Sequence, residues 1–353
     1  MSTSRLSALR LLAACAVLPA TAALAQDKVA SFYKGKTVTI LVGSSAGGGY
    51  DTYARLLSRH MGRHIPGAPK FVVQNMPGAG SNRAAGYVAD VAAKDGTFIA
   101  SVYSAQPLGR VLLDRSKLTY DPARLNYLGS ASQDTYVCLV RKDAQVKKYT
   151  DIFEKELVLG SSSPNASTGY MSILQRNVLG AKIKLVVGYR GSRQIFAAME
   201  KGETQGVCGI NWTSVQSGYK RFIDDGIAHI IVQEAEKGVP EANKAGIPRT
   251  FDYAKSEEAK KILRTVYMQG QFARPYFVAG GVPAERVAAL RKAFMSAWQD
   301  KQLQAEAAKL RLEVNPLSGD DLQKLVLDIN KEPDAFVEKV KQAIRYDIGK
   351  GGK

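Results

Sequence analysis

The chain has 353 residues, 45% of them hydrophobic, with 49 Lys and Arg against 32 Asp and Glu, a formal charge of +17. Its basic residues are scattered and mixed with Glu, as in 255–261 and 331–341, with no block of five or six like charges and no helix-turn-helix or zinc-finger pattern. This excludes nucleic acid as the expected partner.

Residues 1–25 read as an export signal. Arg5 and Arg10 precede the apolar run 11–24, and Ala23-Leu24-Ala25 is a small-x-small cleavage site, so the mature chain is expected to start at Gln26 in the periplasm. The lipobox-like stretch ending at Cys15 is disfavoured because only four apolar residues separate Arg10 from Cys15, too few for the apolar segment of an export signal. No later apolar run reaches the roughly 18 residues of a membrane span.

The mature chain opens with "TVTILV" (37–42), then a glycine turn and a helix over about 51–61. "KFVVQN" (70–75), a helix over about 81–93 and "TFIASV" (97–102) follow. This βαβαβ rhythm predicts a parallel sheet with helices on both faces. It restarts at "TYVCLVRK" (135–142) and runs through "ELVLGSSS" (156–163), a helix near 168–179, "IKLVVGY" (183–189), a helix near 192–201, "QGVCGI" (205–210) and "HIIVQ" (229–233). Two α/β lobes are therefore expected. The last third is helical: one long amphipathic stretch over 283–310, a helix capped by Ser318-Gly-Asp-Asp321, and a last helix ending near Ile348.

Two glycine-rich turns stand at strand-to-helix junctions, "GSSAGGGYD" and "QNMPGAGSN". Glycine there lets backbone approach a ligand, and free N–H groups at a helix start attract negative charge. The first turn lacks the Gly-Lys-Ser/Thr ending of a P-loop, and Thr52 breaks the dinucleotide fingerprint. At the carboxyl ends of neighbouring parallel strands, both turns would face one crevice.

Catalytic machinery is not visible. The three histidines are His60, His64 and His229. The first two are spaced i, i+4 without the Glu of a zincin motif, and "GSSSP" is not a nucleophile elbow. No metal, cofactor or catalytic residue is expected. Cys138 and Cys208 lie in apolar strand-like runs, where a disulfide and a pair of buried thiols are both compatible with export. Tyr50, Tyr53, Tyr103, Tyr189 and Trp212 are candidates to line a cleft, Tyr50 and Trp212 foremost.

The order "TVTILVGSSAGGGYDTYARLL", "VVQNMPGAGSNRAAGYVADVAAKDGTFI", "GSSSPNAST", "VGYRGSRQIFAAMEKGE" and "VPAERVAALRKAF" resembles the extracytoplasmic solute receptors of tripartite tricarboxylate transporters, the Bug receptors, over nearly the whole mature chain. The resemblance implies an α/β type 2 periplasmic binding protein, with two α/β lobes joined by crossing hinge strands. Lobe 1 is expected to take 26–134 and 234–353, and lobe 2 to take 135–233. It implies a small carboxylate ligand, bound without turnover, and integral-membrane permease subunits as partners. A di- or tricarboxylate is expected, or, from the candidate cleft aromatics, an aromatic carboxylate. Nothing in the sequence suggests an obligate oligomer, so a monomer is expected. The alternatives are a secreted hydrolase or isomerase on the same fold, or a sensor for a signalling protein.

Carried over residue by residue, the ligand site comprises Ser44, Ser45, Ala46, Gly47, Gly48, Gly49 and Asp51 from the first turn and helix. Asn75, Pro77, Gly78, Ala79 and Gly80 come from the second turn. The second lobe adds Ser161, Ser162, Ser163 and Thr168, then Tyr189, Arg190 and Gly191. Gly43-Ser44-Ser45 replaces the family's proline-rich first loop, and Gln205 stands where an acidic residue is usual.

Overall fold

A computed structural model describes residues 27–113 and 118–347. The expected export signal and Cys15 lie outside the described residues. A helix over 27–33 (α1) leads into β1 (Thr37–Val42), α2 (Gly49–His60), β2 (Lys70–Asn75), α3 (Asn82–Gly86), β3 (Phe98–Ser101) and β4 (Asn126–Ser130). The second lobe contributes β5 (Tyr136–Arg141), β6 (Leu157–Ser161), α4 (Ser167–Leu174), β7 (Ile183–Val187), α5 (Ser192–Glu200), β8 (Gly206–Asn211) and β9 (Ala228–Glu234). Then follow α6 (Glu257–Tyr267), β10 (Pro275–Val278), α7 (Ala284–Gln299), α8 (Lys301–Lys309), β11 (Leu317–Ser318), α9 (Gly319–Ile329) and α10 (Asp334–Ala343).

The first sheet has the order β11-β4-β10-β3-β1-β2 and the second β7-β6-β8-β5-β9. Both are mixed, which corrects the expectation of a parallel sheet. In the first, β2, β1 and β3 are parallel, but β10 runs antiparallel to β3 and β4. In the second, β5 runs antiparallel to β8 and β9. The reason is the hinge: β10 enters the first sheet beside Ser101 and Ser130, at the end facing the second lobe, and must run away from it. By the same logic β5 leaves the hinge at Tyr136, while β8 and β9 come back to it at Asn211 and Glu234.

β1 sits between β2 and β3 with five successive residues buried, as a strand covered on both faces requires. Helix α2 buries Tyr50, Tyr53, Ala54 and Leu57, spaced to form one apolar stripe. Trp298 of α7 is wholly buried between the rings of Tyr53 and Phe294. This packing fixes the axis of α2, and so aims its first turn.

Two helices depart from expectation. The 283–310 stretch breaks at Asp300, whose side chain accepts from the N–H groups of Gln302 and Leu303 and caps α8. The expected 81–93 helix is a short α3 followed by a wider turn over Tyr87–Val91, entered through Gly80 and Ser81 at positive φ. Ser318 caps α9 by accepting from the Asp321 N–H. Cys138 and Cys208 are joined by a disulfide across the neighbouring strands β5 and β8.

Candidate functional site

The carboxyl ends of β1, β6 and β8 meet where the lobes face each other. A cavity of about 40 Å³ lies there, lined from both lobes. Three helices begin at its wall: α2, α4 and α5. Their N-cap residues are Gly48, Ala166 and Gly191, and none makes a side-chain cap hydrogen bond. Away from the cavity, Ser256, Asp300 and Ser318 cap their helices, while α7 and α10 start at Pro283 and Pro333 without a side-chain cap, so it is the convergence of the three starts that sets the cavity apart. An uncapped first turn leaves several N–H donors without intrahelical partners and carries the positive end of the helix dipole. Three such ends on one small cavity make an environment for negative charge.

Hydroxyl groups complete the lining. Ser44, Ser45, Ser162, Ser167, Thr168, Ser192 and Ser214 all border the cavity. The Ser44 Oγ is buried with no protein partner. Tyr50 and Tyr103 form an aromatic side, their ring centres 4.9 Å apart. Burial pushes the Tyr103 hydroxyl up to about 12, and it meets Ser162 across the lobes as a neutral group.

The residues expected from sequence divide into three groups. Ser44, Ser45, Gly48, Gly49, Ser162, Thr168 and Gly191 line the cavity. Pro77, Gly78, Ala79, Gly80, Tyr189 and Arg190 line an adjoining pocket of about 540 Å³, which shares Tyr103 and Ser162 with the first. Ala46, Gly47, Asp51, Asn75, Ser161 and Ser163 line neither: Ala46 is exposed, and the other five brace the loops.

Asp51 accepts from the Gly47 N–H (2.8 Å), Arg55 Nε (2.8 Å) and Asn75 Nδ2 (2.9 Å). Burial alone would raise its carboxyl, but these donors outweigh it and hold the group below the ordinary range. Asn75 Nδ2 also donates to the Ser44 carbonyl at 3.0 Å, tying the second turn to the first. In the second lobe, Ser161 Oγ donates to the Ser163 carbonyl at 2.9 Å and meets Thr168 Oγ1 at 2.9 Å.

Several glycines serve contact between the lobes. The Ser45 N–H donates to the Arg190 carbonyl at 3.3 Å, so the two turns touch. A Cβ on Gly80 would stand 2.8 Å from the Asn165 carbonyl oxygen, and one on Gly47 3.1 Å from Arg193 Nη1. Bare backbone here lets the opposite lobe close down, besides leaving space for a ligand.

Beneath the cavity lies a polar cluster that the sequence reading missed. Arg274, just before β10, is fully buried. It donates to Asn211 Oδ1 (2.7 Å), Ser214 Oγ (2.9 Å) and Thr213 Oγ1 (3.4 Å), and lies 3.9 Å from Asp134 Oδ2. The rings of Tyr50 and Tyr53 flank its guanidinium at 5.0 and 4.8 Å. Gly49 keeps the floor open, since a Cβ there would stand 2.7 Å from Ser214 Oγ. Asn211 ends β8 and lines the cavity, the position where open α/β sheets bind ligands. An arginine inside the apolar run "QFARPYFV" is a legible signal for such a cluster.

Trp212 packs against the second-lobe core and does not line the cavity. His60 at the end of α2 and His64 in the turn after it reach Glu306 (2.7 Å) and Asp300 (3.1 Å), linking this segment to α8 and its cap. Among the described residues no three His, Cys, Asp or Glu are grouped to hold a metal ion, and no helix is long and apolar enough to cross a membrane.

No family model and no curated protein matches the chain. Solved structures do. MatC (Rpa3494) from Rhodopseudomonas palustris with bound malate is 19% identical with a TM-score of 0.66, covering 88% of this chain and 99% of that one. The periplasmic binding protein BugD is 19% identical with a TM-score of 0.69, covering 88% and 98%. R. palustris Rpa4515 with adipate is 22% identical with a TM-score of 0.67, covering 88% and 97%. The chain has the two-lobed α/β fold of these structures.

Proposed function

We propose that the protein is an exported receptor of the Bug type, which captures a small organic anion between its lobes and delivers it to the membrane subunits of a tripartite tricarboxylate-type permease. The observation that carries this reading is the convergence of three helix starts without side-chain caps, at Gly48, Ala166 and Gly191, on one cavity. Each helix end favours an anion by about 0.3–1 kcal/mol, rising to about 2 when partly buried. Each N–H or hydroxyl donated to a carboxylate adds about 1.5–3 kcal/mol. A carboxylate matches this donor set, and the malate and adipate bound to two of the similar structures support that ligand class.

In this reading lobe 1 comprises 26–134 and 234–353, lobe 2 comprises 135–233, and the ligand bridges them and shifts the balance toward the closed form. The chain acts after removal of residues 1–25, in the periplasm, as a monomer, and binds without turnover. Ser44, Ser45, Gly48, Gly49, Ser162, Thr168 and Gly191 are the ligand-facing groups among those expected from sequence. Asp51 and Asn75 hold the first turn in shape.

A thermal-shift screen of the chain from Gln26 against di- and tricarboxylates, aromatic carboxylates, amino acids and sugars tests the reading. A ligand at about 100 times its dissociation constant stabilises the folded state by about 2.7 kcal/mol. Stabilisation by carboxylates, recovered unchanged after incubation, supports a receptor. Stabilisation by neutral sugars alone, or conversion of the carboxylate, would overturn it.

A further inference from the structure

The cavity floor has a donor whose orientation is fixed by its neighbour. Asn211 is 4% exposed and lines the cavity. One end of its amide lies 2.7 Å from Arg274 Nη1. A guanidinium can only donate, so the amide oxygen must face Arg274 and the NH2 must face the other way. That Nδ2 is buried and has no protein partner. Arg274 cannot swing aside, because Ser214 and Thr213 hold its other nitrogen and the rings of Tyr50 and Tyr53 flank it.

We propose that Asn211, oriented by Arg274, is a specificity-determining residue that donates its NH2 to a second acceptor oxygen on the bound anion, so that the site selects dicarboxylates over monocarboxylates of equal length. This rests on the anion-receptor reading and extends it to the far end of the ligand. The three helix starts hold the first carboxylate, and Asn211 meets the second. The buried cation behind it adds attraction for that second charge: Arg274 faces one carboxylate, Asp134, at 3.9 Å, and is otherwise surrounded by neutral groups. An ammonium group at this place would meet a fixed donor and a cation, and is rejected.

Asn211→Asp tests the assignment with almost no change in shape. The new carboxylate pairs with Arg274 and turns an acceptor, in place of a donor, toward the ligand. Calorimetric titration with the straight-chain dicarboxylates from malonate to adipate, and with monocarboxylates of equal length, reads the outcome. A lost hydrogen bond to a charged group corresponds to roughly 10- to 100-fold in affinity. The added charge repels both series but faces the second carboxylate directly, so the variant is expected to lose at least about ten times more affinity for the dicarboxylates than for the monocarboxylates. Equal losses in both series, or none in either, would overturn the role of Asn211.

If the wild-type chain binds no member of either series, the receptor reading itself fails. Should the variant not fold, the side-chain amide signals of Asn211 in 15N-labelled wild-type protein are followed during titration with the same dicarboxylates. A large shift of both NH2 protons is expected, and unshifted signals at saturation would overturn the proposal.

Discussion

Gly191 and Ser45 face each other across the two lobes so closely that a Cβ built on Gly191 would stand 2.7 Å from the Ser45 Oγ. The Gly191 backbone is extended, at φ 160 and ψ 178, so an alanine meets no backbone obstacle there and its methyl conflicts only with the facing lobe. Gly191→Ala is therefore expected to disfavour closure and weaken carboxylate binding roughly tenfold, in line with about 1–3 kcal/mol for an overpacked contact. Adding Ser45→Gly removes the obstruction. The pair of single variants and the double variant, titrated with one carboxylate, should show recovery in the double; additive losses would place the effect elsewhere.

The uncapped helices make a second prediction, in which stability and affinity move in opposite directions. Ala166 has the extended φ and ψ of an N-cap residue, and its helix lacks a side-chain cap. Ala166→Asp supplies a carboxylate to the first turn of α4 from within the chain. The substitution should raise unliganded stability by about 0.5–2 kcal/mol and lower carboxylate affinity at least tenfold, because the internal anion occupies the ligand's donors. Thermal melts and calorimetry on the same sample check both halves.

Arg274 and Asp134 are each 1% exposed in their side chains and form the charged centre of the hinge. Breaking a buried pair on one side leaves an uncompensated charge, at a cost of about 3–5 kcal/mol. Arg274→Met is expected to lower the melting temperature by roughly 10 °C. A change within about 2 °C would mean that the cluster is not a structural keystone.

Stability should also depend on pH. Glu234 is buried, accepting from the Gly209 N–H at 2.6 Å and Gln175 Nε2 at 2.7 Å, and burial pushes its carboxyl up to about 8. Burial likewise raises Asp134 to about 6. A carboxyl whose folded value lies above its unfolded value of 4.5 binds more protons when folded. Stability then falls as pH rises between those values and levels off above about 8. The melting temperature should be higher at pH 5 than at pH 8, by about 5 °C or more. Glu234→Gln should flatten the profile, with the unpartnered Gln175 Oε1 free to accept from the new amide. An unchanged slope in that variant would assign the dependence to other groups.

What was legible in the sequence follows from how local each feature is. The runs 37–42, 70–75 and 157–161 stand out because β-branched residues cluster between turn residues. The short β4, "NYLGS", and β10, "PYFV", are strands only because the hinge delivers them to a sheet edge or gap, and nothing in five or four residues announces that. The break at Asp300 was readable, since an Asp before Lys-Gln-Leu is an N-cap pattern, but the apolar periodicity running through it hid the break. In the site, the glycine turns were visible because backbone approach leaves a compositional mark. Asn211 and Arg274 leave none as a pair: they lie 63 positions apart and meet only where β8 and the start of β10 converge. The positions of Asp51 and Asn75 in the sequence suggest ligand groups, yet their partners are each other, Arg55 and the loop backbone.

The most direct test of the account is calorimetric titration of the chain from Gln26 with malate and adipate, each beside its uncharged diamide of the same skeleton. Capture of negative charge by three helix ends predicts binding of at least one dicarboxylate and a loss of at least 100-fold for its diamide. Equal affinity for the charged and uncharged forms would contradict it, since the convergent N–H groups would then be selecting shape rather than charge.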